Sequence, residues 1–237
     1  MRPLFEIKPL MEWQIWEQRL KTLLKQLPME EVTIPLKSRS WNLTLVRSEE
    51  AILTFSEHLE HFPFGFLLWE SAMGVAEYIE ANPALVAGKN ILELGAGLGF
   101  AGMVAQSLGG HVCQTDHQLG ALTIARWNAQ KNGITEIEYR LADWRDWSSK
   151  KKYDVILGAD ILYDRKMHFY LEEIFRHYLR PKGCLLLSDP KREQAFQFIT
   201  HLENRGWRFT IMNRSIPKEF NPANGEMDVL IYEGRFG

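Results

Sequence analysis

Cysteine is scarce in this chain of 237 residues, with only Cys113 and Cys184 present. Two thiols cannot build the disulfide framework of a small secreted domain, and they point to a reducing compartment. Long apolar runs are also missing, none approaching the roughly 18 residues of a membrane-spanning helix. The opening MRPLFEIKPLMEWQIW carries acids and tryptophans where a signal peptide would be plainly apolar. A cytoplasmic protein without a membrane partner is therefore expected. Charge of one sign is lacking too: the formal net charge is −2, so nothing makes the chain a general nucleic-acid binder by charge. There is no internal repeat, no low-complexity stretch, and no GxSxG, HExxH or Walker-type GxxxxGK motif. His58 and His61 stand three apart, but no cysteine or further histidine cluster accompanies them, so HLEH reads as a solvated loop and no metal site is expected. Lys150, Lys151 and Lys152 read as a solvated turn.

What is present is core-forming material. Hydrophobic residues make up 46% and charged residues 24%, with eight Trp and thirteen Phe to supply apolar area. The length fits one large domain, or one domain with an extension.

Residues 10–27 place Trp13, Trp16, Leu20, Leu23, Leu24 and Leu27 on one helical face, closed by Pro28. VTIPL (32–36) and WNLTLV (41–46), joined by the polar KSRS, read as a β-hairpin. FPFGFLLW (62–69) is too aromatic, and too broken by Pro63 and Gly65, for regular structure. From residue 69 onward strands and helices alternate. A helix over 70–81 precedes strands at 91–95, 111–116, 137–143, 153–162 and 184–189, with helices between them, near 166–179 and near 192–205. Two last strand-like runs, 207–212 and 227–233, have no convincing helix between them. This order predicts an α/β fold with a Rossmann-like, seven-stranded, mostly parallel sheet that ends in an antiparallel hairpin. Residues 1–61 form an N-terminal helix and hairpin extension, and 62–237 the main domain. Both cysteines fall on apolar strands and read as core.

The strongest local signal is ILELGAGLGFAG (91–102), a buried strand running into glycines and then a helix. Such a turn lets a ligand approach the backbone and presents helix N-terminal N–H groups. Gly97, Gly99 and Gly102 satisfy GxGxxG, and Asp116 stands roughly 20 residues on, where a ribose-binding acid is expected. The match by itself does not choose between NAD and another adenosine cofactor. Three details favour S-adenosylmethionine (SAM). Glu93 precedes the first glycine by two residues, at the strand end where the ammonium of SAM would lie. Asp143 and Trp144 end the third strand, and a carboxylate beside an aromatic suits adenine. A C-terminal hairpin is not the usual close of a dinucleotide fold.

These segments, together with GADILYD (158–164), resemble the class I, seven-stranded SAM-dependent methyltransferases. Within them the chain is similar to the protein-lysine methyltransferase-like and nicotinamide N-methyltransferase-like branch. The marks are Trp69 opening a helix, the Asp143–Trp144 pair, the D-x-x-Y signature from Asp160 to Tyr163, and the preceding β-hairpin. The resemblance spans about residues 30–235. It implies SAM contacts from Trp69, Gly95, Ala96, Gly97, Asp116, Trp144 and Ala159, beside Glu93, Gly99 and Asp143 from the motifs. It implies that Asp160 and Tyr163 face the methyl acceptor and carry the catalytic role. For Trp69 ordinary core packing is an open alternative, and for Asp116 a helix cap.

The expected activity is N-methylation of a lysine side chain of a protein. Methyl transfer is an in-line displacement, so it needs alignment and desolvation rather than a covalent nucleophile. There is no N/D-P-P-Y/F turn, which goes with nucleobase or glutamine amide methylation. Three rivals remain: a small-molecule, nicotinamide-like N-methyltransferase, a SAM-binding protein without turnover, and an NAD-dependent dehydrogenase. A cavity closed over by FPFGF would favour the first rival, and an open groove the lysine reading.

Overall fold

Side-chain alternation along each strand feeds two apolar layers, one on either face of a sheet. In the computed structural model, which describes residues 29–46, 64–218 and 224–237, Ile91 of β3 (Asn90–Leu94) enters one layer and Leu92 the other. The same split separates Val155 from Ile156 in β6 (Tyr153–Ala159), and Leu186 from Leu185 in β7 (Leu179–Asp189). Between these strands come β4 (His111–Asp116) and β5 (Glu138–Leu141), and after them β8 (Trp207–Pro217) and β9 (Glu226–Phe236). The sheet order is β5-β4-β3-β6-β7-β9-β8. Pairing is parallel from β5 through β7, and β9 runs antiparallel to both of its neighbours. This is the expected seven-stranded α/β sheet.

Among the described residues five α-helices cover it: α1 (Glu70–Ala81), α2 (Phe100–Ser107), α3 (Leu119–Lys131), α4 (Arg165–Tyr178) and α5 (Glu193–Asn204). The first three contribute to one apolar layer, and α4 and α5 to the other. The strand order reverses between β3 and β6, and the carboxyl ends of those two strands open the crevice where open α/β sheets bind ligands.

The N-terminal hairpin belongs to the same core. β1 (Met29–Pro35) pairs antiparallel with β2 (Ser40–Val46), and Trp41, Leu43 and Leu45 are buried in the layer that holds α1 to α3. Trp41 meets Phe100 edge-on, with ring centroids 6.0 Å apart. The free edge of β2 is closed by one side chain of α3 and one at its C-cap. Asn128 accepts from Thr44 N at 2.8 Å and donates to Thr44 O at 3.2 Å. Asn132, one turn later, accepts from Asn42 N at 2.9 Å and donates to Asn42 O at 2.8 Å. Two amides four residues apart thus serve as a substitute strand. The helix expected over 10–27 lies outside the described residues.

Some boundaries move. The strand expected over 153–162 stops at Ala159, because Asp160 takes a left-handed φ of 56°. The strand expected over 207–212 continues to Pro217, since backbone pairing with β9 carries the edge strand past its apolar part. Cys113 and Cys184 are buried free thiols, and burial pushes each up to about 12, which leaves them inert.

Candidate cofactor and acceptor site

The turn after β3 is left-handed at Gly95, with φ 63°. A Cβ there would lie 2.9 Å from Ile161 and 3.3 Å from the Trp144 ring, so glycine is needed both for the turn and for the approach of these two side chains. Gly95, Ala96 and Gly97 are half-exposed, whereas Leu98, Gly99 and Phe100 are buried. The accessible backbone of the motif is therefore residues 95–97. Gly99 departs from the expected cofactor contact. It is the N-cap of α2, and a Cβ on it would press within 2.8 Å of Ala125 and the Gln114 amide. Its role is close packing.

Glu93 requires a second correction. Its carboxylate does not face the mouth of the crevice but turns beneath the glycine turn, almost fully buried. It accepts from Gly102 N at 3.1 Å and from Gln114 Nε2 at 2.8 Å. Burial, only partly opposed by these two donors, raises its pKa to about 7. Gln114 also donates to Gly99 O at 2.7 Å, so Glu93 and Gln114 brace the motif from within. An i, i+2 relation to the first glycine marks the strand end but not which way the side chain turns.

Asp116 ends β4, 6% exposed. Its Oδ2 accepts from Gly97 N at 3.0 Å and its Oδ1 from Gln118 N at 2.9 Å. The N-cap of α3 is Gln118, so Asp116 is not that helix's cap. The His117 imidazole also lies beside the Asp116 carboxylate, Nδ1 3.4 Å from Oδ1, and a carboxylate's roughly four lone-pair sites exceed what the Gly97 and Gln118 amides take up. Trp144 opens the short turn after β5, half-buried, with its ring over Gly95. Asp143 is partly spoken for: its oxygens meet Arg145 Nε at 2.9 and 3.0 Å, and that pair holds its carboxyl below the ordinary range. Sequence reasoning took Asp143 as free to accept from adenine and missed Arg145 two residues away. Trp69 is the half-buried N-cap of α1, and its Nε1 donates to Phe64 O at 3.2 Å. It braces the 64–66 turn while staying partly accessible. In that turn Gly65 packs on α3 and the glycine motif; a Cβ on it would stand 2.7 Å from Ala121 Cβ and 3.6 Å from Gly97 Cα.

At the neighbouring strand end, half-buried Ala159 leads into Asp160, whose N donates to Ser188 O at 2.9 Å. Asp160 is buried, and both of its oxygens engage the Arg192 guanidinium, Oδ2 at 3.3 Å from Nη2. Arg192 also meets Asp189 Oδ2 at 3.0 Å. Asp160, expected to face the acceptor, is thus half of an ion pair that the sequence did not reveal. Arg192 and Asp189 were not anticipated. The available signal was a second acid at a strand end, Asp189, followed by a basic residue. Tyr163 is 52% exposed, and its carbonyl accepts from Gln194 Nε2 at 3.2 Å.

The residues fit an adenosine cofactor carrying a charged tail: accessible turn backbone at 95–97, a strand-end carboxylate at Asp116, and an aromatic face at Trp144 lie together at the crevice. Among the described residues no group of three His, Cys, Asp or Glu could hold a metal ion.

Comparison with known proteins agrees with this geometry. The family model of the lysine methyltransferases matches residues 47–205. The chain is 32% identical over 133 residues to protein N-lysine methyltransferase METTL21A of Xenopus tropicalis, which covers 54% of this chain and 61% of that protein. It is 30% identical over 177 residues to EEF1A lysine methyltransferase 3 of Mus musculus, covering 71% of each. In fold it is similar to N-methyltransferase NodS of Bradyrhizobium japonicum WM9, solved with S-adenosyl-L-homocysteine, at a TM-score of 0.53 and 18% identity over 68% of this chain and 87% of the other. With its glycine turn, its seven-stranded sheet and this match over most of its length, the chain belongs to the lysine methyltransferase family of SAM-dependent enzymes.

Proposed function

We propose that this enzyme methylates the side-chain amine of lysine in a protein. The observation that carries the proposal is the half-exposed Tyr163 beside the buried Asp160 at the end of β6. Exposure of about half of Tyr163 supports a mouth able to admit a side chain from a large partner. The names of the relatives point the same way, as protein N-lysine and EEF1A lysine methyltransferases.

In this proposal the backbone of Gly95, Ala96 and Gly97 runs along the cofactor's tail, Asp116 accepts from the ribose, and Trp144 lies against the adenine. Asp143 keeps Arg145 at the rim, Trp69 holds the 64–66 turn in place, and Ala159 borders the donor. SAM, when bound, supplies an electrophilic methyl on sulfur. The chain's own residues have to align the amine and exclude water around it. Neutralising a lysine of pKa about 10.4 at pH 7 costs about 4.6 kcal/mol. Enzymes typically supply about 8–23 kcal/mol, so no strong base is required. The amine's proton leaves through the open mouth, and Tyr163 offers its ring face and hydroxyl to the cationic amine. A cytoplasmic location belongs to the same proposal.

The test is incubation with tritiated SAM and a cell extract. A discrete labelled protein, carrying one or more methyl groups on lysine by mass spectrometry, is the expected result. Label confined to the small-molecule fraction would establish a metabolite methyltransferase instead.

A further inference from the structure

Two buried carboxylates and one guanidinium meet at the carboxyl ends of β6 and β7. Asp160 closes β6 and Asp189 closes β7, and both are buried. Arg192, just before α5, reaches both: its Nη atoms bracket the Asp160 carboxylate, Nη1 meets Asp189 Oδ2 at 3.0 Å, and its backbone N donates to Asp189 Oδ1 at 2.5 Å. An arginine fork fixes the plane of a carboxylate as a single point charge would not. The Asp160 backbone needs such fixing, because it is a non-glycine residue at φ 56°.

We propose that Arg192 is a positioning residue for the methyl acceptor: it sets the orientation of Asp160 and, together with Asp189, leaves this strand end with an excess of one negative charge that favours a cationic amine. The count is two carboxylates against one guanidinium, hence −1. A lone carboxylate here would be free to turn. Asp160 and Asp189 side by side without a cation could not both stay ionised. The inference rests on the proposal that the amine is received beside Asp160 and Tyr163.

Several charged groups bear on Asp160. Glu70 at the start of α1 and Asp189 favour its protonated form, and Arg192 favours its ionised form. Asp160, Asp164, Asp116 and Arg192 in turn bear on Tyr163. Burial raises the Asp160 pKa and Arg192 opposes the rise, so loss of Arg192 would carry it higher.

The test compares wild type, Arg192→Gln and the double variant Arg192→Gln/Asp189→Asn. The double variant keeps one carboxylate and no guanidinium, the same charge of −1, so it guards against simple misfolding of the single variant. Three quantities are read: S-adenosylhomocysteine affinity by calorimetry, the first-order rate of tritium transfer into extract protein across pH, and the titration of the Asp160 carboxyl by carbon-13 NMR. Arg192→Gln should leave the affinity within about twofold and lower the rate roughly 10–100-fold. The acid limb of the rate profile and the Asp160 titration should both move to higher pH. The double variant should return the acid limb toward wild type while the rate stays low, because the fork is gone. An unchanged rate, or an unchanged Asp160 titration, in folded Arg192→Gln overturns the proposal. So does joint loss of affinity and rate, which would assign Arg192 to the cofactor pocket. If the wild type itself labels no protein, the lysine assignment fails on that result, and the NMR titration still decides whether Arg192 governs Asp160.

Discussion

Gly97 N donates to Asp116 Oδ2 at 3.0 Å, so the glycine turn after β3 and the acid that ends β4 form one unit. Asp116 thus holds the turn, and in the proposed function it has a second task, accepting from the ribose of the cofactor.

Replacing Asp116 by Ala should weaken SAM binding by about 1–3 kcal/mol and lower the unfolding free energy as well, since Gly97 N and Gln118 N lose their acceptor. Asp116→Asn keeps one acceptor oxygen, and should retain more of the stability than of the affinity. Calorimetry and thermal melting on both variants separate the two tasks. Wild-type affinity in the Ala variant would remove Asp116 from the cofactor site.

Glu93 gives a pH dependence with a definite sign. Its folded pKa of about 7 lies above the ordinary 4.5, so folding favours the protonated form. Its contribution to stability is fully present below about pH 4.5 and is lost as pH rises through 7. Relative to wild type, Glu93→Gln should therefore gain about 1–3 kcal/mol between about pH 5 and about pH 8. Urea unfolding at the two pH values measures this. A difference that does not change with pH would mean that the Gly102 and Gln114 donors keep Glu93 ionised throughout.

Asn128→Ala and Asn132→Ala should each cost about 1–3 kcal/mol, because each leaves a backbone N–H and C=O of β2 without its partner. The affinity for SAM should hardly move. Denaturant unfolding gives the stability, and hydrogen exchange at Thr44 and Asn42 locates the loss. Continued protection of both amides in the variants would show that β2 does not depend on α3.

Gly65→Ala places a methyl 2.7 Å from Ala121 Cβ, so the 64–66 turn must lift away from α3 and from Gly97. SAM affinity should fall about tenfold, or about 1.4 kcal/mol. A calorimetric value equal to that of wild type would separate the turn from cofactor binding.

Tyr163→Phe should slow transfer to protein and leave SAM affinity nearly unchanged, since its half-exposed side chain is assigned to the acceptor and not to the donor. Single-turnover transfer from preloaded enzyme isolates this step. Loss of SAM binding instead would place Tyr163 in the donor pocket.

Much of this was legible in the sequence because it depends on local pattern. Period-two apolar runs and a strand running into glycines gave seven strands and the turn, and D-x-x-Y marked the end of β6. What escaped depends on direction or on distance along the chain. Whether Glu93 turns outward or beneath Gly102 is settled by the tertiary fit of Gln114, 21 residues away. The Arg192–Asp160 pair joins residues 32 apart, brought together only when β6 and β7 lie side by side. Asn128 and Asn132 read as ordinary polar helix residues until β2 is laid against them. The tail of β8 was missed because its alternating side chains include polar ones, while the ladder to β9 is a property of the backbone.

The match to the family begins at residue 47, one position after β2 ends, and stops at 205, just before β8 begins. The stretch by which the chain is recognised is therefore shorter, at both ends, than the unit that has to fold. Trimmed to that stretch, the chain would lose two strands of its sheet, strip Trp41 from Phe100, and leave the amides of Asn128 and Asn132 facing water. Borders for expression or domain exchange have to be drawn outside the hairpin at residue 29 and beyond Phe236, wherever the signature itself is taken to start.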